Sequence, residues 1–312
     1  MNQKTLFIFP KRGLYTLTKC TNCGHGFQCE HCDANLVTYR KWEKNLELVC
    51  HQCQTYYNYP LKCPKCASTE ISSYFGGVDE LVEIVVKESG NPVYRYDDKK
   101  RSKEMAITTN AVTTRIFDPS IPYSNFTHIV FVEAQNLLAS PDYLVQEEIH
   151  KQLLELMLSI SEQTEIIFDT NSPDLELFIG LARLDKNHPE HLDKKQWFIN
   201  FLTTEAKSRE MFNFPPFVNT LLLTTQQKNK DKSFEIINHV RSELIKIKQQ
   251  LPDLTISSPY QARFLKRKGM FSYHVLVRFP RQYKDIGKLR EEIMQLGSIY
   301  GVQIRLNPRH LF

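Results

Sequence analysis

The sequence predicts an α/β protein: a parallel sheet with helices, carrying an insert with two four-cysteine sites and followed by an α+β unit. Three observations carry this expectation. Short apolar runs alternate with helical apolar stripes over residues 70–205, as strands and helices do in one layered sheet. All eight cysteines of the 312-residue chain lie between Cys20 and Cys66, as four Cys-x-x-Cys pairs. Residues 206–312 then read strand, helix, strand, strand, helix, strand, a split βαβ plan.

Taken in order, residues 1–18 open with the apolar run TLFIF and a basic turn at Lys11, Arg12 and Gly13, and are grouped with 70–205. Residues 19–69 hold few apolar residues of their own, and so small a unit needs metal to fold. Within them TYRKWEKNLEL (38–48) reads as a basic, aromatic β-hairpin. VDELVEIVVKES (78–89) reads as a helix with Leu81, Val82, Val85 and Val86 on one face. PVYRY (92–96), AITT (106–109), HIVFVEA (128–134) and EIIFDT (165–170) suit a parallel sheet. The helix in SPDYLVQEEIHKQLLELMLSIS (140–161) is expected to take Ser140 as N-cap and Pro141 as first residue, with Ile149, Leu153, Leu156, Met157 and Ile160 at helical spacing. In the last unit a strand FVNTLLLTT (217–225) is followed by a polar break, QQKNKDK (226–232). A helix over 233–250 carries the stripe Ile237, Val240, Leu244 and Ile247. A strand pair around 262–279, the helix KLREEIMQLGSIY (288–300) and the strand VQIRLNP (302–308) complete it.

The composition, 41% hydrophobic and 24% charged, is that of a soluble globular protein. No run of about 18 apolar residues indicates a membrane span, and the N-terminal apolar run is too short and lacks the cleavage site of a signal peptide. A cytoplasmic location is therefore expected. There thiols stay reduced, and paired cysteines more often bind metal than form disulfides. The spacing is C-x2-C-x5-C-x2-C-x17-C-x2-C-x9-C-x2-C. Each Cys-x-x-Cys turn aims two sulfurs at one point, and two turns make the tetrahedral thiolate site that zinc accepts. An iron–sulfur cluster would instead want one crowded cysteine set. Two zinc ions follow as cofactors. Eight thiolate charges against four from zinc would bring the formal +5 to +1, so net charge by itself does not point to nucleic acid. Spacing leaves two pairings open. One is sequential, 20/23/29/32 with 50/53/63/66; the other is nested, 20/23/63/66 outside 29/32/50/53. His25, His31 and His51 are read as bystanders, because the sulfurs suffice. Four thiolates leave no open position for catalysis.

The stretch from LFIFPKRGLY through the cysteine block resembles the zinc-binding insert of the primosomal protein N′ (PriA) replication-restart helicase family. FGGVDELVEIV (75–85), SREMFNFPPF (208–217) and SPYQARFLKRKGMFSYHVLVRF (258–279) extend the resemblance toward the C-terminus. Pro10 and Lys11 depart from that family's turn, and Val78 and Asp79 stand where it has Thr and Glu. The resemblance implies nested pairing: Cys20, Cys23, Cys63 and Cys66 on one zinc, Cys29, Cys32, Cys50 and Cys53 on the other. It also implies a degenerate helicase second lobe (1–18 and 70–205), a double zinc module (19–69) and a PriA-like C-terminal domain (206–312). The family's N-terminal DNA-binding domain and Walker A motor lobe would precede Met1.

The nucleotide machinery of such a helicase is not legible in this chain. No GxxxxGK[ST] loop occurs, and LLELMLSISEQTEIIF (153–168) lacks the glycine and arginine of the family's arginine-supplying motif. HIVFVEA and EIIFDTN end in acids, but without a phosphate loop Glu133 and Asp169 read as ends of buried parallel strands. No ATPase activity of the chain alone is expected.

Between Gln261 and Arg281 stand six basic residues and no acids. Gly269 permits a tight turn after Lys266, Arg267 and Lys268, and Phe271, Tyr273, Val275, Val277 and Phe279 alternate on a buried strand face. Arg263, Lys266, Arg267, Lys268 and Arg278 are thus the candidate contacts for DNA phosphates, or for an acidic peptide, at a hairpin tip and on an open face. A solvated charged loop is the bland alternative. Three functional readings follow. The first is a zinc-containing DNA-binding protein of primosome assembly, acting in replication restart on forked or single-stranded DNA. The second is one part of a split ATP-dependent 3′→5′ DNA helicase. The third is an interaction module for a single-stranded-DNA-binding protein or other primosome proteins, with no role for a membrane in any of them.

Overall fold

A computed structural model describes residues 4–41, 45–96, 110–140 and 142–311. Three five-stranded sheets organise it. The first is parallel throughout, in the order β10-β9-β1-β8-β7. Its centre is β1 (Thr5–Ile8), between β8 (Ala111–Thr113) and β9 (His128–Phe131); β7 (Tyr94–Arg95) and β10 (Glu165–Phe168) are its edges. Leu6, Ile8, Ala111, Ile129 and Phe131 have no measurable exposure, and full burial of each large side chain stabilises by about 1.5–3 kcal/mol. The expected parallel sheet is present. AITT lies outside the described residues. EIIFDT, expected as a buried strand, is instead the outermost one: Glu165 and Ile167 are exposed, because β10 has a neighbour on one side only.

The chain leaves β1 for the cysteine insert and returns into α1 (Val78–Ser89). Both crossings pass through one neck. The Gly77 N–H donates to the Leu14 carbonyl at 2.8 Å, Val78 N–H to Lys11 at 2.8 Å, and Asp79 N–H to Gly13 at 3.1 Å. Gly13 sits in the left-handed region at φ 80°. In α1, Val78 and Val85 are buried and Leu81 and Val82 partly so, but Val86 is exposed, contrary to the expected stripe. The inward face is set by Val78, which the neck delivers into the sheet; Val85 lies two turns on.

The insert is an antiparallel sheet in the order β5-β4-β3-β2-β6. Its strands are β2 (Tyr15–Cys20), β3 (Val37–Arg40), β4 (Leu46–Val49), β5 (Tyr56–Asn58) and β6 (Ile71–Gly76). The β3–β4 pair is the expected hairpin, with residues 42–44 outside the description. Its core is small: Phe27, Leu36 and Leu48 pack with Cys29, Cys32 and Cys50.

The helix expected from Ser140 begins at Val145, as α2 (Val145–Ser159). Pro141 lies outside the described residues. Asp142 is turned inward instead, and its carboxylate accepts the Leu311 N–H at 3.0 Å, so the segment before α2 serves a long-range tie rather than a helix start. Ile149, Leu153, Leu156 and Met157 form the buried stripe as expected, joined by α3 (Glu176–Ala182) and α4 (Lys194–Met211). Arg209 of α4 binds Glu147 at 2.8 Å and Glu205 at 2.7 Å.

The third sheet contains β11 (Val218–Gln227), β12 (Thr255–Ile256), β13 (Tyr260–Arg267), β14 (Met270–Pro280) and β15 (Gln303–Leu306), with α5 (Lys230–Gln250) and α6 (Ile286–Tyr300). Apart from short β12, the order is the expected β-α-β-β-α-β. Helix α5 takes in Lys230–Lys232, read as a break, because Asn229 caps it by accepting the Lys232 N–H at 2.9 Å. The predicted stripe packs with Val275, Val277 and Phe279. The opposite sheet face is not open at its middle. Leu222 and Leu276 are covered there by Leu311, Tyr143, Phe214 and Tyr260.

Candidate metal centres and basic hairpin

The eight sulfurs gather as two groups, Cys20/Cys23/Cys63/Cys66 and Cys29/Cys32/Cys50/Cys53, with the sulfurs of each within 4.8 Å of one another. This is the nested arrangement. Strands β2 and β6 run antiparallel, with Cys20 opposite Ile71, and so bring the first and last pairs together. Strands β3 and β4 do the same for the inner two. All eight thiols are free.

Bond lengths test whether a metal fits. Tetrahedral sulfurs about 2.3 Å from zinc stand about 3.8 Å apart. The separations are 3.6 Å for Cys20–Cys66, 3.7 Å for Cys23–Cys63 and 3.5 Å for Cys29–Cys53. Both groups fit a four-thiolate metal ion. Neither includes a histidine. His51 Nε2 faces the Tyr39 hydroxyl at 2.9 Å, and burial, then Arg12, pushes its pKa down.

Backbone hydrogen bonds shape the four turns alike. In each pair the first cysteine N–H is bonded five residues on: Cys20 to His25, Cys29 to Ala34, Cys50 to Thr55 and Cys63 to Ser68, at 2.8–3.0 Å. With the thiols free, burial pushes Cys53 up, but the Thr55 hydroxyl and backbone more than offset it, bringing it to about 6. The Ser68 backbone brings Cys66 to about 7. In each group another thiol is pushed the opposite way, Cys23 and Cys32 both up to about 12.

The basic hairpin is β13–β14. Its turn is Lys268 (φ 50°) and Gly269 (φ 78°), between paired Arg267 and Met270, a two-residue loop with both residues left-handed. Arg263 and Arg267 are exposed, and Lys266 is half-buried. The tip does not stand free: Lys266 Nζ donates to the Glu30 carbonyl at 2.6 Å and Lys266 N–H to the Asp33 carboxylate at 3.1 Å. Arg278 is remote from this tip, half-buried with its guanidinium 5.1 Å from the centre of the Phe214 ring. It lines a cavity of about 230 Å³ with Tyr143, Ser257, Tyr260, Leu276 and Leu311, and its Nε has no hydrogen-bond partner. Burial pushes its pKa down. The structure thus divides the five candidate basic residues into two places. The sequence reading missed Glu30 and Asp33, which carry no periodic signal.

Glu133 and Asp169 lie past the carboxyl ends of β9 and β10. The Glu133 carboxylate is taken by Lys11 and by Asn136 at 2.7 Å, and Asp169 Oδ2 accepts the Glu133 N–H at 3.2 Å. Both acids are engaged within the protein. Among the described residues no helix is long and apolar enough to cross a membrane.

Residues 210–309 match the Primosomal protein N C-terminal domain family. Replication restart protein PriA of Synechocystis sp. is 24% identical over 326 aligned residues, covering 98% of this chain and 37% of that protein. PriA of Chlamydia pneumoniae is 25% identical, over 89% of this chain and 37% of that protein. PriA of Rickettsia typhi is 22% identical, over 100% of this chain and 48% of that protein. The chain thus spans under half the length of these relatives. With its neck, cysteine insert and C-terminal sheet aligned in one stretch, it is a PriA-like chain, similar to the C-terminal part of that family.

Proposed function

We propose that this chain is a zinc-containing, DNA-binding protein of primosome assembly, acting in DNA replication restart in the cytoplasm without ATP hydrolysis of its own. The reading is carried by one observation: two complete four-thiolate groups stand in the same chain as the matched C-terminal domain, whose hairpin exposes Arg263 and Arg267 on β13. Zinc is the metal because four sulfurs at tetrahedral spacing suit it. The parts would be a degenerate helicase lobe (1–18 and 70–205), a double zinc module (19–69) and a PriA-like domain (206–312). Forked or single-stranded DNA would be bound through phosphates, with other primosome proteins as partners. Titration of fork DNA at two salt concentrations tests this. Salt-sensitive binding without ATP turnover is expected; no binding at low salt would overturn it.

A second reading is favoured by Arg278. A partly buried guanidinium with an unpartnered Nε, beside the Phe214 ring in a small apolar cavity, suits a peptide ending in an apolar residue and a carboxylate. The acidic tail of a single-stranded-DNA-binding protein is the partner this reading takes. Loss of tail binding in Arg278→Ala, with DNA binding kept, would support it.

A further inference from the structure

We propose that the second four-cysteine centre is a composite site completed by the basic hairpin. Metal at Cys29, Cys32, Cys50 and Cys53 and the seating of residues 266–269 then stabilise each other.

The four Cys-x-x-Cys turns are not equivalent. In three of them the residue after the second cysteine is left-handed: Gly24 (φ 72°), Gln54 (φ 64°) and Ala67 (φ 60°). Each sends its N–H back to the carbonyl of the first cysteine, Cys20, Cys50 or Cys63, at 2.9–3.0 Å. These turns close on themselves. The fourth lacks that bond and closes instead through Cys32 N–H on the Cys29 carbonyl, at 3.2 Å. Asp33 follows Cys32 without entering the left-handed region, and its N–H donates instead to the Lys266 carbonyl at 3.2 Å.

The hairpin supplies what the fourth turn lacks. Lys266 N–H returns to the Asp33 carboxylate at 3.1 Å, and Gly269 N–H donates to the His31 carbonyl at 2.9 Å. Lys266 Nζ reaches the Glu30 carbonyl at 2.6 Å. Lys268 N–H points at the Cys32 sulfur, 3.5 Å away and 236 residues along the chain. The left-handed pair Lys268–Gly269 turns two adjacent N–H groups out of the hairpin ladder and onto the turn.

Such a bond matters to a metal ligand. An N–H aimed at a thiolate is charge-assisted and favours the deprotonated, metal-bound form. Two thiolates in excess of a divalent ion also leave the centre with negative charge, beside Lys266, Arg267 and Lys268. Coupling of this kind is reciprocal: whatever the seated hairpin adds to metal affinity, metal adds to the seating. Among the described residues the first centre receives no hairpin contact: its sulfurs meet local groups, the His25 backbone at Cys23, the Ser68 backbone at Cys66, and Asn22 Nδ2 at 3.8 Å from Cys66. It is an internal control. The consequence is that the second metal fixes the frame on which Arg267 is displayed, whatever ligand that residue meets.

The test uses the full chain loaded with zinc. In the double variant Asp33→Ala, Lys266→Ala, which spares every cysteine, zinc transfer to a chromophoric chelator is followed in time. One of the two equivalents should leave about tenfold faster and the other at the parent rate. Hydrogen exchange supplies the reciprocal arm. Cys29→Ser should strip protection from amides 266–269, while Cys63→Ser leaves them protected, with helix α5 amides reporting that the C-terminal sheet stays folded. Equal zinc release in parent and double variant, or the same hairpin exchange in both cysteine variants, would overturn the proposal.

Discussion

Gly77 lies so close to Gly13 that a Cβ on Gly77 would stand 2.2 Å from the Gly13 carbonyl oxygen. These residues, 64 apart in sequence, are where the chain enters and leaves the cysteine insert. No backbone atom there can yield without breaking the bonds to Leu14, Lys11 and Gly13. Gly77→Ala is therefore expected to destabilise by about 2–3 kcal/mol, read as a lower urea midpoint. Gly24→Ala is the comparison: its φ of 72° is left-handed but nothing lies within 4 Å, so only about 1–2 kcal/mol is expected.

Two zinc ions per chain are expected by elemental analysis, one for each four-cysteine group. Chelation should unfold residues 19–69, since Phe27, Leu36 and Leu48 are too few to hold them, while α5 and α6 persist. Cys29→Ser and Cys63→Ser should each lower the zinc count. A count that stays at two in either variant contradicts this assignment.

Zinc affinity should fall as pH falls. Cys66 and Cys53 have pKa values drawn below the ordinary thiol range, to about 7 and about 6, so their thiolate form is favoured in the fold. The stability this contributes is complete above the unfolded thiol value and is lost as pH falls through about 7 and then 6. Cys23 and Cys32 are pushed up to about 12, so protons compete with metal for both groups across the neutral range as well. Chelator competition between pH 5.5 and 8 should show steadily tighter binding toward the alkaline end; a flat profile would refute the assignment.

The two classes of basic residue should separate in binding assays. Arg267→Ala should weaken DNA binding uniformly across sequences and reduce the salt slope by about one phosphate contact. Arg278→Ala, half-buried over Phe214, should leave that slope unchanged.

Asp142→Ala should cost about 1–3 kcal/mol, because it leaves the buried Leu311 N–H without its acceptor and releases His310 Nδ1, 3.2 Å away. Thermal denaturation of the variant measures it. An unchanged midpoint would mean that the tie between α2 and the end of β15's extension carries no stability.

Some of the candidate site was legible because its signals are local. Four Cys-x-x-Cys turns, the Lys268–Gly269 turn and the stripe Ile237, Val240, Leu244, Ile247 each depend on residues within a few positions of one another. The errors cluster where a distant segment overrides a local preference. Ser140 and Pro141 look like a helix start, but Asp142 is claimed by Leu311, and α2 begins later. EIIFDT looks buried, yet its place at the sheet edge leaves Ile167 exposed.

The sequence by itself determined that eight thiols would be presented in four turns, that an α/β sheet would surround them, and that a β-α-β-β-α-β unit with a basic turn would follow. Turn geometry and side-chain period settle such features over short spans of chain. Tertiary structure decided the rest. It set which turns share a centre, placed Lys268 on Cys32, and separated Arg278 from the hairpin tip. The physical reason is that hydrogen bonds between segments two hundred residues apart leave no periodicity; they exist only once three sheets have been packed and their edges brought together.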